Sequence, residues 1–252
     1  MTQALRLNRF LARAGVASRR RCDALISEGR VTVNGEVVSE LGGRIQPDSD
    51  SVCVDGKVVT AEEESVSLAF HKPPNVLVAA VDPRGRRIVM DFLTEVPVRV
   101  FPVGRLDFRS EGLLLFTNDG DLAYRLAHPA FKVEKVYLVE VLGGVAPAVV
   151  DALRRGVRLE DGPTQPARVR IVEREKRFTR LEVTLREGRK RQVRRMFALF
   201  GLEVTRLVRT QVGSLTMGSL APGKWRPLTE TELDGLRSAV FGPELASGED
   251  VS

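Results

Sequence analysis

The sequence predicts an α+β protein in two parts, a small mixed domain at residues 1–60 and a larger strand-rich domain at 66–240. Three observations carry this. Two short helical patterns and two Asn-Gly or Asp-Gly hairpins fill the first part. The stretch TAEEES at residues 60–65 has no apolar residue larger than alanine, so 61–65 reads as a linker. From Val66 onward, apolar and β-branched runs alternate with glycine and proline punctuation. With 252 residues and 43% hydrophobic content, there is ample material for a buried core. Residues 247–252 are small and acidic, and 241–252 are expected to form a flexible tail.

Leu5, Leu7, Phe10, Leu11 and Ala14 place apolar side chains on one face of a short helix ending at Gly15. Ser18 is a suitable N-cap for a second helix over 19–28, which Gly29 stops. Val31, Val33, Asn34-Gly35, Val37 and Val38 read as a hairpin, and Val52, Val54, Asp55-Gly56 and Val58 repeat it. In the larger part, residues 66–70 form a strand run that Pro73 and Pro74 terminate. Residues 104–120, GRLDFRSEGLLLFTNDG, form the stretch around which the larger domain is organised. Their run Leu113-Leu114-Leu115-Phe116 reads as a buried strand entering a turn. Asp107 therefore sits on the loop feeding that strand, close to Arg105. A loop carboxylate on a packed scaffold suits an active site, although aspartate also serves ordinary turns. Downstream, helices are predicted over 121–126, 148–155, within 188–200 and from Thr229. Strands are predicted over 135–141, 168–172, 178–185 and within 203–217.

A net charge of +6 and a pI near 9.7 point to a polyanionic partner. The charge is clustered: residues 186–209 hold eight Lys/Arg against two Glu. Cys22 and Cys53 lack metal-ligand spacing, which argues for a reduced cytoplasmic protein with neither disulfide nor zinc. No apolar run approaches the roughly 20 residues that span a bilayer, and no secretory signal is evident. No membrane partner is therefore expected. His71 and His128 read as structural.

The pattern GRLD, a short spacer, GLLL, one residue, TNDG closely resembles the catalytic-aspartate motif of pseudouridine synthases of the RsuA/RluB type. Other segments are similar to that family too: Lys72-Pro73, DPRGR at 82–86, Lys135-Val136-Tyr137-Leu138-Val139, GVRLEDG at 156–162, GRKRQVR at 188–194 and PGKWRPL at 222–228. Ser110 stands where threonine is common, and Asn75 where glycine is common. Serine keeps the hydroxyl, and asparagine tolerates the left-handed conformation. Residues 7–35 are similar to the RNA-binding module first known from ribosomal small-subunit protein four. In that module a basic helical face meets RNA, and here Arg6, Arg9, Arg13, Arg19, Arg20 and Arg21 would make it. The resemblance spans residues 5–240.

The resemblance implies a catalytic domain with a mixed, largely antiparallel sheet that converts uridine to pseudouridine in ribosomal RNA without cofactor or metal. The enzyme would extrude the target nucleotide and present a carboxylate to its ribose. Asp107 would be catalytic, attacking the anomeric carbon or removing a neighbouring ribose proton. Arg194 would pair with Asp107 and keep it ionised. Tyr137 would also be catalytic, stacking on the extruded base and able to exchange its proton, and Leu207 would pack against that base. Arg105, Arg189 and Arg191 would bind substrate. Large-subunit RNA, free or in an assembly intermediate, is the expected partner, because GVRLEDG and the C-terminal segments look like the RluB branch. The protein is expected to act as a monomer. Three other readings compete. An RNA-binding assembly or translation factor would have no need of Asp107, Tyr137 and Arg194 together. A metal site at Asp107, Asp119 and Asp121 competes with a better reading of 118–121 as a turn and helix cap. A glycosidase pair of Asp107 and Glu111 fits poorly with a basic chain holding a single tryptophan.

Overall fold

The apolar face read at the N-terminus is buried. Leu7, Phe10 and Leu11 of helix α1 (Leu7–Arg13) are at most 2% exposed and pack with Cys22, Leu25 and Ile26 of α2 (Arg19–Ser27). The Ser18 hydroxyl accepts from the Arg21 amide and caps α2 as expected. Strands Glu36–Val37, Val31–Val33, Val52–Val54 and Lys57–Val58 form a small sheet in that order. Their hairpin turns carry positive φ at both central residues, Asn34 (53°) with Gly35 (87°) and Asp55 (50°) with Gly56 (77°). That is the type I′ geometry which matches strand twist.

This computed structural model describes residues 4–60 and 65–242. Most of the expected linker and tail, 61–64 and 243–252, lies outside the described residues. The chain divides into two compact units. The first comprises residues 1–66 with 97–99 and 118–120, and the second comprises the remainder. The Asn118 side-chain oxygen accepts from the Val66 amide, while the Asn118 amide donates to the Val66 carbonyl.

The second unit is built on a nine-stranded mixed sheet. Its main strands are β1 (Ser67–Lys72), β2 (Glu111–Thr117), β3 (Lys135–Leu142), β4 (Arg168–Arg174), β5 (Phe178–Leu185), β6 (Val204–Val212) and β7 (Trp225–Pro227). They lie in the order β4-β5-β3-β6-β2-β1-β7. All neighbours along that path are antiparallel except β6 and β2, which run parallel. Every residue of β1 and β2 is buried, so the run Leu113 to Phe116 is a core strand as its composition predicts.

Two apolar clusters hold helices to this sheet. Val150 and Leu153 of α4 (Pro147–Arg155) and Val193, Met196 and Phe197 of α5 (Gln192–Ala198) pack with Val139, Leu181, Val183 and Leu207. Leu122 and Leu126 of α3 (Gly120–Ala127) and Leu236 and Val240 of α6 (Glu230–Phe241) pack with Leu113, Leu115 and Val212. Helix α6 starts in a capping box: the Thr229 hydroxyl accepts from Glu232 N, and the Glu232 carboxylate accepts from Thr229 N.

The parallel contact depends on one glycine. Gly112 pairs with Arg209 across β2 and β6 and has a φ of 105°. A Cβ there would lie 2.3 Å from the Arg209 carbonyl oxygen and 2.6 Å from its nitrogen. Only glycine permits this approach. It sets where β2 begins, and hence where the preceding loop with Asp107 is held.

Candidate active site

The Asp107 loop is fixed by backbone carbonyls meeting one buried ammonium. A turn closes from Ser110 N to Asp107 O at 3.0 Å. Lys72, fully buried at the end of β1, donates through Nζ to the carbonyls of Ser110 (2.7 Å), Pro73 (2.9 Å) and Phe108 (3.3 Å). The Phe108 carbonyl also accepts from Asn75 N at 2.8 Å. Asn75 has a φ of 61°, the left-handed conformation expected where the family favours glycine. Burial pushes the Lys72 pKa down to about 8, against the pull of Asp107 and Glu111. The three carbonyl acceptors favour the protonated form that the loop needs. The Ser110 hydroxyl is buried and has no hydrogen-bond partner among the described residues, so it serves no visible local purpose.

Just upstream of this loop, Gly104 and Arg105 line a cavity of about 100 Å³. Arg105 and Tyr137, both expected at the site, line it together with Lys135, Arg209 and Glu187. Strand pairing explains the grouping. Lys135 and Tyr137 alternate on β3, and Tyr137 faces Arg209 across β6. Arg209 is 5% exposed and donates through Nε to the Leu113 carbonyl at 2.7 Å. The Lys135 pKa is pushed down to about 8 by burial and by Arg209. Glu187 is already engaged by Gln165 N (3.0 Å), Gln192 Nε2 (2.5 Å) and Arg189 Nε (3.3 Å).

Of the other expected residues, Asp107, Arg189, Arg191, Arg194 and Leu207 do not line this cavity, and the six arginines of the RNA-binding module lie in the first unit. Asp107 is half-buried, and its charge reaches Arg194. Arg194 does not form the expected direct pair. Its Nη1 donates to the Val204 carbonyl at 2.6 Å, which holds the guanidinium against β6. Burial and then Arg191 press the Arg194 pKa down, while Asp107 raises it. The coupling to Asp107 is thus through space. Arg189 is committed to the 158–163 hairpin, donating to the carbonyls of Gly162 (3.0 Å) and Pro163. Arg191 is exposed and precedes α5 in a left-handed conformation, with a φ of 52°. Leu207 lies opposite Val139 and is 4% exposed, within the cluster against which Tyr137 packs. In the first unit, Arg6, Arg13, Arg19 and Arg20 are exposed and Arg9 is half-buried. Arg21 is exposed and ion-paired with Glu28 at 3.0 Å.

Competing chemistries find little support in these contacts. Glu111 is ion-paired with Arg206 at 2.7 Å, so it is not a free proton donor beside Asp107. Among the described residues no three His, Cys, Asp or Glu side chains are grouped as metal ligands. His71 Nδ1 meets the Leu220 carbonyl at 2.7 Å, and His128 Nδ1 accepts from Ala130 N at 3.2 Å; both contacts are structural. Lys72, Lys135 and Arg209 were not identified as site residues from the sequence. The signal was weak: strand alternation places Lys135 on the Tyr137 face, but pairing with β6 is invisible locally.

Residues 66–199 match the family described as RNA pseudouridylate synthase, and residues 5–51 match the S4 domain. An uncharacterised RNA pseudouridine synthase of Aquifex aeolicus (strain VF5) is 46% identical over 237 residues, 94% of this chain and 95% of that protein. Ribosomal large subunit pseudouridine synthase B of Bacillus subtilis (strain 168) is 43% identical over 235 residues, 92% of this chain and 96% of its own length. A crystal structure of a pseudouridylate synthase matches with a TM-score of 0.67 at 31% identity, covering 92% of this chain and 99% of that one.

Proposed function

The chain belongs to the RNA pseudouridylate synthase family and is an isomerase, and we propose that it converts a uridine of large-subunit ribosomal RNA, with Asp107 as the catalytic residue. In this reaction the N1–C1′ bond breaks, the uracil turns, and a C5–C1′ bond forms. The hydrogen on C5 leaves and N1 gains one, so the step balances without a co-reactant. Asp107 acts at the ribose of an extruded nucleotide. Arg194 offsets the carboxylate charge through space. Tyr137 stacks on the base, and Leu207, in the apolar cluster against which Tyr137 packs, supplies an apolar contact to it. Arg105 and Arg191 take phosphates, and Arg189 holds the 158–163 hairpin in place. The exposed arginines of the first unit supply further phosphate contacts.

The observation that carries this reading is the locked Asp107 loop, which follows directly on Arg105 of the Tyr137 cavity. A half-buried carboxylate stands on a loop held by three hydrogen bonds from one ammonium, and an arginine is coupled to it. The choice of large-subunit RNA is supported by relatives from Bacillus subtilis and Vibrio cholerae, both 43% identical and named for that subunit. Among the described residues no helix is long and apolar enough to cross a membrane.

Mapping pseudouridine in ribosomal RNA from cells with and without the gene tests this. A large-subunit position that loses its modification on deletion, and regains it with the wild-type gene, is the expected result. Identical maps would contradict the reading. Lys72 should behave as a positioning residue. Lys72→Met is expected to lower kcat about 10- to 100-fold by loosening the Asp107 loop. RNA affinity should change less than about twofold, because Lys72 is buried away from RNA. Equal losses in affinity and kcat would argue for general unfolding instead.

A further inference from the structure

We propose that Lys135 and Arg209, with the exposed Arg105 beside them, form an anion subsite that grips one phosphodiester of the substrate RNA next to the extruded uridine. This inference rests on the function proposed above and adds a binding site to it. Its starting point is an electrostatic imbalance. Lys135 is 9% exposed, yet its ammonium has no hydrogen-bond or ion-pair partner among the described residues. That ammonium opens into the cavity partly stripped of solvent, and nearby Arg209 adds a like charge to the same cavity. Glu187, a carboxylate lining the cavity, is already occupied by Gln165, Gln192 and Arg189. An anion entering the cavity would offset both cations at once.

The geometry favours a phosphodiester over a neutral carbonyl. Arg209 uses Nε on the Leu113 carbonyl, while its terminal nitrogens carry no hydrogen bond among the described residues. A guanidinium with its end free and an ammonium beside it match the oxygens of a phosphate. Register fixes the location. Arg209 lies directly opposite Tyr137, and Lys135 is two residues along the same strand face, roughly 7 Å away. That distance is comparable to one nucleotide of RNA backbone. A phosphate bound there therefore flanks a base stacked on Tyr137.

The test is a double-mutant cycle between protein and RNA. The RNA is a synthetic stem-loop spanning the uridine that the wild-type protein converts in transcribed large-subunit RNA. In a series of such stem-loops, each phosphate flanking that uridine is replaced in turn by a neutral methylphosphonate. With native RNA, Lys135→Met is expected to weaken binding about tenfold. It should also flatten the slope of log affinity against log salt by about 0.7–0.9. Methylphosphonate at the gripped position should weaken wild-type binding by a similar factor, and Lys135→Met should lose nothing further on that RNA. Lys135→Arg should restore most of the affinity. A merely structural role predicts that Lys135→Met lowers the melting temperature, whereas here it should hold or rise, since a partly desolvated charge beside Arg209 has gone.

Lys135→Met binding native RNA as tightly as wild type overturns the subsite, and so do additive losses at every flanking position. The methylphosphonate series on wild-type protein decides the matter even if the variant does not fold. If no single flanking neutralisation costs more than about twofold, the subsite is refuted. Failure of the wild-type protein to convert any uridine is a different outcome: it refutes the underlying function, and the subsite falls with it.

Discussion

Asp107→Asn is expected to abolish pseudouridine formation, by at least about 10³-fold in kcat, while leaving the fold and RNA binding nearly unchanged. The reason lies in how the loop is held. Its turn uses the Asp107 backbone carbonyl, and Lys72 grips the carbonyls of Pro73, Phe108 and Ser110. The Asp107 side chain makes no hydrogen bond among the described residues, so asparagine removes charge and nucleophilicity without removing a strut. RNA affinity should hold or tighten slightly, because a negative charge near phosphates disappears. Binding by filter retention and chemical detection of pseudouridine on the same transcript separate the two effects. A fully active Asp107→Asn protein would show that Asp107 is only a turn residue.

Gly112→Ala should be the most damaging conservative change in the second unit. The new Cβ would meet three backbone atoms of Arg209 at 2.3, 2.6 and 2.9 Å, and the φ of 105° is itself unfavourable for alanine. Backbone cannot yield as a flexible side chain can, so β2 and β6 must separate at the parallel junction of the sheet. A cost on the order of 3–5 kcal/mol is expected, which corresponds to a fall in Tm of roughly 10 °C. Gly144→Ala is the control, since a Cβ there meets nothing within 4 Å. Its Tm should stay within about 2 °C of wild type. Equal Tm values for wild type and Gly112→Ala would contradict the close approach.

Local chemistry was legible in the sequence wherever one segment suffices to decide it. The Ser18 cap, the Asn-Gly and Asp-Gly turns and the buried run from Leu113 to Phe116 all stem from residue type and short-range spacing, while the left-handed Asn75 was expected from the family resemblance. What pairing decides was not legible. Nothing near Gly112 announces that β6 will lie against it, almost a hundred residues later. The same long-range pairing brings Arg209 to Tyr137 and creates the cationic cavity. Lys72 read as the start of a motif, but its function depends on carbonyls more than thirty residues away. Arg194 illustrates the limit differently: its proximity to Asp107 came from the family motif, while its bond to the Val204 carbonyl came from packing of α5 on β6.

The most direct measurement is tritium release from large-subunit ribosomal RNA transcribed with uridine labelled at C5, using purified protein without added metal or nucleotide. The label leaves only when C5 becomes the atom bonded to ribose. Wild-type protein should release tritium from the large-subunit transcript, with no release by Asp107→Asn. Folded wild-type protein that binds this RNA yet releases no tritium would contradict the account.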